Sequence, residues 1–91
     1  MIARVATWEP MPTDDRQWVL DAAKSVPGVI AAYHLIDPQS GNGLSIAIIE
    51  DDTDGAAVKG AIEARAAEIG WYDQPRPAPK SETFYRVIRH T

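Results

Sequence analysis

An α+β fold, a four-stranded antiparallel sheet with two helices on one face, is what this 91-residue sequence predicts. Three observations carry the prediction. Apolar runs of strand length recur along the chain, two stretches of helical spacing lie between them, and proline- or glycine-rich breaks stand at the junctions.

Residues 2–9 form the first run, which is closed by Pro10 and Pro12 and contains no turn residue. Alternation puts Ile2, Arg4, Ala6 and Trp8 on one face and Ala3, Val5 and Thr7 on the other. Thr13, followed by Asp14 and Asp15, reads as an N-cap with carboxylates at the positive end of a helix dipole. Val19, Ala22, Ala23 and Val26 then share a helical face, flanked by Trp18 and Leu20, and Pro27-Gly28 ends the helix. Residues 29–36 and 44–49 are two apolar β-type runs joined by the turn-rich segment 37–43, which reads as a hairpin. The acidic run 50–54 opens a second helix with Val58, Ile62, Ala66 and Ile69 as its stripe and Ala61 at the margin. Gly70 ends it. Residues 71–81, with three prolines, form a loop, and residues 82–90 a last strand. The order β-α-β-β-α-β is the ferredoxin-like pattern. Residues 1–91 form a single domain with room for no second core.

Composition narrows the function. The chain is 45% hydrophobic and 24% charged, and 13 acidic against 9 basic side chains give a net charge of −4. A nucleic-acid partner would require a basic face, so none is expected. Cysteine is absent, which excludes disulfides, thiolate nucleophiles and Cys-ligated metals. His34 and His90 are too few for a His-rich metal site, so no metal is expected. No apolar run approaches the roughly 20 residues of a membrane helix, and residues 1–4 lack a signal-peptide pattern. A cytoplasmic location without membrane contact follows as the expectation.

With helices on one sheet face and water on the other, the strands should alternate cleanly. They do not. Val29, Ala31, Tyr33 and Leu35 share one face of the second strand, and Ile30, Ala32 and Ile36 the other. In the third strand Leu44, Ile46 and Ile48 oppose Ala47 and Ile49. A domain of this length buries only about 60–65% of its unfolded surface, so association is an available route to a larger core. A second copy of the chain, seated on the second sheet face, is the expected partner.

The motifs Ala3-Arg4-Val5, Val26-Pro27-Gly28-Val29, Leu35-Ile36-Asp37, Ser40-Gly41, Leu44-Ser45-Ile46, Glu50-Asp51-Asp52 and Phe84-Tyr85-Arg86-Val87 run through the whole chain. In these it resembles the dimeric α+β barrel superfamily, specifically the small antibiotic-biosynthesis-monooxygenase-like proteins. The resemblance implies two ferredoxin-like subunits whose sheets face one another, with a ligand pocket between each sheet and its own helices. Family members include cofactor-free oxygenases, haem-degrading enzymes, lactone isomerases and proteins without known activity. The oxygenases use asparagine, tryptophan, tyrosine and arginine around an aromatic substrate. Trp71, Tyr72 and Arg86 lie where such residues are expected, whereas Asn42, the only asparagine, sits in the hairpin turn. The haem-degrading set is missing, because the first strand has no asparagine and the second helix no histidine. No cofactor is expected.

Arg65 falls inside the apolar stripe of the second helix, where it either lays its stem over apolar surface or reaches a pocket anion. Arg86 alternates with Phe84 and Ile88, which suits a sheet edge, an ion pair or a pocket wall. Trp71 and Tyr72 follow the helix-ending glycine; they either anchor the proline-rich loop or close over a ligand, with the Tyr72 hydroxyl relaying a proton. His34, within an apolar strand, is either packed structure or a pocket base. Trp8 and Trp18 pack at element margins or line the pocket. The catalytic candidates are therefore Tyr72, Arg86 and His34, and the substrate-binding candidates Arg65, Trp71, Trp18 and Trp8. Two functions follow: a homodimer that binds a small hydrophobic or aromatic molecule, or a cofactor-independent monooxygenase acting on a phenolic or polycyclic aromatic.

Overall fold

The computed structural model describes residues 1–71 and 77–91. Its elements run β1 (Ile2–Trp8), α1 (Gln17–Lys24), β2 (Val29–Ile36), β3 (Gly43–Ile49), α2 (Gly55–Glu68) and β4 (Ser81–Arg86). The strands form one antiparallel sheet in the order β2-β3-β1-β4. This is the ferredoxin-like arrangement. The molecule is a slab 37 × 34 × 19 Å, two layers thick.

Register decides which side chains meet the helices. One row across the sheet holds His34, Ser45 and Ala6, the next Ile36, Gly43 and Trp8, and another Ala32, Ala47 and Arg4. This face is built from small residues along β3, and the helices settle on it; Ala6 is 1% exposed. The opposite face carries Ala31, Tyr33 and Leu35 from β2, Leu44, Ile46 and Ile48 from β3, and Ala3 and Val5 from β1. No element of the chain among the described residues lies over it. Tyr33 stays 51% and Tyr85 56% exposed. The core that remains under the helices is slight: Ala6, Met11, Ala23, Val29 and Ala66, with no large side chain fully buried among the described residues.

Three boundaries differ from the sequence reading, each for a local reason. Thr13 does not cap α1, which begins at Gln17 with Arg16 in the N-cap position. Asp14 is taken by the Arg16 Nε at 2.7 Å, and the Asp15 carboxylate accepts the Gln17 N–H at 3.3 Å. Residues 11–16 thus form an extended strap, tied to the hairpin turn where the Met11 N–H donates to the Gly41 carbonyl at 2.9 Å. The last strand stops at Arg86, the partner of Ile2, rather than running to residue 90, and just beyond it the Val87 N–H still donates to the Met1 carbonyl at 3.0 Å. In β2 a register shift between Val29 and Ala31 turns Val29 to the helix face, away from Ala31, Tyr33 and Leu35.

Other signals act as written in the sequence. The Asp54 carboxylate accepts the Ala56 N–H at 2.9 Å and caps α2, and Gly70, at φ +72°, ends it. On the helix side of the β1–β4 edge, Arg4 Nη2 donates to Glu82 Oε2 at 2.7 Å and holds that carboxyl below its usual range. Gly28 has φ +95°, and a Cβ there would collide with Thr53 Oγ1 at the mouth of α2. Gly28→Ala is therefore expected to cost about 1–3 kcal/mol. Urea denaturation measures it; a variant as stable as the parent would remove this close approach from the account.

Candidate functional site

Where the chain leaves β1 it crosses the sheet as the strap 11–16 and turns into α1. Gly43 leaves room for two close approaches, since a Cβ at that position would collide first with the Leu35 carbonyl of β2 and would then stand 2.8 Å from the Met11 Cβ. The strap, α1 and the edge strand β2 border a shallow cleft of about 420 Å³ that is open to solvent. Met11, Pro12, Leu20 and Ile36 supply apolar walls, while Asp14, Asp15, Arg16 and His34 supply the polar groups.

Arg16 organises this end of the molecule. Its guanidinium lies 4.7 Å from the centre of the Trp71 ring and 5.9 Å from that of Trp8, an indole pair that stabilises a cation through its faces. Trp8 is fixed in turn by a 2.7 Å bond from its Nε1 to Ser45 Oγ, and Ser45 is the cross-strand partner of His34. Trp71 meets Trp18 edge-on, with centroids 5.3 Å apart and planes at 62°. All three tryptophans of the chain belong to this cluster.

Partial burial lowers the His34 pKa below the ordinary value of 6.5, and the nearby Arg16 charge lowers it further. At neutral pH the imidazole is uncharged and can accept a proton. A neutral base, a fixed cation and apolar walls are a set that can bind an aromatic molecule and draw a proton from it.

A second groove of about 370 Å³ runs between α1 and α2 and is lined by Trp18, Ala22, Ala61 and Arg65 among others. The Arg65 Nη1 donates to Glu68 Oε2 at 2.8 Å, on the same helix, and its side chain is half exposed. Trp18 Nε1 is buried here without a hydrogen-bond partner among the described residues. The residues named from sequence therefore separate. His34 lines the cleft, Trp8 and Trp71 back it through Arg16, and Trp18 and Arg65 line the outer groove. Arg86 is exposed at the end of β4, paired across the sheet with Ile2. Tyr72 lies outside the described residues. Arg16 and Asp14 were not anticipated. In the polar run 13–17 they read as a solvated helix start, and no local spacing shows that Arg16 would sit against two indoles.

Comparison with protein families, with curated proteins and with solved structures finds no match to this chain. Among the described residues no three His, Asp or Glu side chains gather as a metal site, and no helix is long and apolar enough to cross a membrane.

The electrostatics of His34 give a direct test. Its ring should titrate below 6.5 by NMR, and Arg16→Gln should move the midpoint part of the way back, leaving the larger effect of burial. A native pKa below the unfolded one means that the unfolded chain binds more protons between the two values. The stability that depends on this group is complete above pH 6.5 and is lost as pH falls through the window beneath it. A midpoint at or above 6.5 would contradict this description of the cleft.

Proposed function

We propose that the chain is a homodimeric α+β barrel protein of the antibiotic-biosynthesis-monooxygenase-like kind. In this reading each subunit binds a small aromatic or hydrophobic molecule between its sheet and helices. The cleft beside His34 carries the proposal, because there apolar walls and a few convergent polar groups meet in one opening. The dimer is supported by the uncovered apolar sheet face. The chain exposes 6234 Å², against about 5,200 Å² for a folded monomer of 10.0 kDa by the usual scaling.

Oxygenase chemistry is a second reading, favoured by one observation: His34 is held neutral beside the Arg16 cation. On an anthrone-type substrate His34 would take a proton from the reacting carbon, and the guanidinium would face the anion left behind. Dioxygen then oxidises that carbon. Its two C–H bonds are replaced by one C=O, the second oxygen atom leaves as water, and the four electrons lost by carbon are those gained by oxygen. Arg86 and Arg65 have no part in this form of the reaction; Tyr72 keeps the proton-relay role proposed from sequence.

Tryptophan fluorescence tests binding, since all three indoles belong to the cluster behind the cleft. Titration with 2-naphthol should give saturable quenching. Leu20→Glu, which sets a carboxylate in the apolar wall, should weaken it at least about tenfold while circular dichroism stays native. Absence of saturable binding across a panel of one- to three-ring aromatics would overturn the ligand reading. Oxygen uptake with an anthrone, slowed at least about tenfold by His34→Ala, separates the two readings.

A further inference from the structure

The two edges of the sheet are unlike. The β2 edge is bordered by the strap and α1, whereas β4 is exposed along its whole length, Ser81–Arg86. Antiparallel pairing turns the backbone groups of alternate residues inward and outward. The Val87 N–H donates to the Met1 carbonyl, so Thr83 and Tyr85 face β1, and the amides and carbonyls of Glu82, Phe84 and Arg86 point away from the sheet. Among the described residues none bonds them. A proline, a bulge or a lysine commonly protects such an edge, and β4 contains none of the three. A large ring also stands bare on each side of it: Phe84, 61% exposed on the helix side, and Tyr85 on the open face. We propose that β4 is a self-association edge, at which two copies pair β4 to β4, antiparallel about a two-fold axis at Phe84, and continue the sheet across both chains.

Charge selects the axis. With Phe84 opposite Phe84, Glu82 of each copy stands opposite Arg86 of the other, and Thr83 opposite Tyr85. An axis at Thr83 would set Lys80 against Arg86, two cations, and an axis at Tyr85 would set Glu82 against Ile88. Glu82 accepts from Arg4 through Oε2 and keeps Oε1 for the second copy, while Arg86 has no ion pair among the described residues. Lys59, the other cation near Glu82, is exposed and reaches Glu63 along α2. The β2 edge offers no such match, since its helix-face residues Ala32, His34 and Ile36 carry no carboxylate for Arg86. Exposed ion pairs fix register more than they add strength, which comes from the backbone bonds of Glu82, Phe84 and Arg86 and from the two Phe84 rings. A six-residue edge buries less than the roughly 1,200 Å² of the smallest standard interfaces, so this pairing is weak and sets in above micromolar concentration. It uses the edge of the sheet, not the open face, and stands independently of the dimer proposed above.

Sedimentation equilibrium from about 10 µM to about 1 mM tests it: the mass should rise toward twice its low-concentration value. Phe84→Pro removes the outward N–H at the axis and no bond to β1, so it should abolish the rise, while Phe84→Leu keeps it and circular dichroism shows both folded. Ile46→Asp, on the open face, should leave the rise in place, which separates this edge from the face dimer. The chain has no cysteine, so single thiols report the register. Phe84→Cys should form a disulfide-linked pair at high concentration, because opposed residues of a bonded antiparallel pair lie about 5.5 Å apart. Arg86→Cys, set opposite Glu82, should not. A constant mass, a rise that survives Phe84→Pro, or Arg86→Cys linking as readily as Phe84→Cys would each overturn the proposal.

Discussion

A four-stranded sheet with helices on one side only is the constraint on which this molecule depends. Its helix face is lined by Gly43, Ser45, Ala47 and Ala6, and the bulkier Leu44, Ile46 and Ile48 point the other way. Three of the four large apolar side chains of β3 thus lie where no described element of this chain covers them, and only Ile49 turns to the helix face. Burial on the helix side is correspondingly modest, with alanines forming three of the five buried apolar residues among those described. Apolar area removed from water stabilises by about 25 cal/mol per Å², so a core of alanines, Met11 and Val29 contributes little by itself. A second sheet laid on the open face would bury the tyrosine and isoleucine side chains that are now exposed or half-exposed. That is the physical basis of the proposed dimer.

The small residues that make the open face necessary also make the cleft. With no Cβ at Gly43, Met11 can lie close to the sheet, and the strap that follows carries Arg16 to Trp8 and Trp71. Ser45, small enough to sit beneath the strap, joins Trp8 to the row of His34. The helix side is thus a poor core and a good opening. The division of labour is between faces: one is suited to association, the other to a ligand or a proton.

Most of the architecture was legible in the sequence because it is local. Pro27-Gly28, Asp54 and Gly70 act on their own neighbours, and the apolar runs at 29–36 and 44–49 leave no alternative to a hairpin across the 37–43 turn. What could not be read is set by partners distant in the chain. Thr13-Asp14-Asp15 has the composition of a helix cap, yet the carboxylates are diverted to Arg16 and Gln17, and α1 starts later. The end of β4 is set by its pairing with a strand far away in the chain, and the register shift between Val29 and Ala31 has no signal within the apolar run 29–36 itself. Of the residues singled out for chemistry, His34 stands in the cleft, while Arg65 and Arg86 are exposed. Arg65 does sit in a helical apolar stripe, but its long stem lets the guanidinium reach Glu68 one turn further along the same helix, at the surface. Arg16 is the arginine that lines the cleft.

Sedimentation equilibrium at micromolar concentration tests most directly whether the face bearing Ile46 takes a second copy of the chain. Ile46 lies on the open face and Ile49 on the helix face, opposite Ile2 and Val29, so one carboxylate placed at each position separates assembly from folding. The account predicts a parent of about twice 10.0 kDa. Ile46→Asp should sediment as a single chain that keeps its secondary structure or unfolds only on dilution, whereas Ile49→Asp should lose its fold at every concentration. A parent that remains a stable monomer of 10.0 kDa, with Ile46→Asp as stable as the parent, would contradict it.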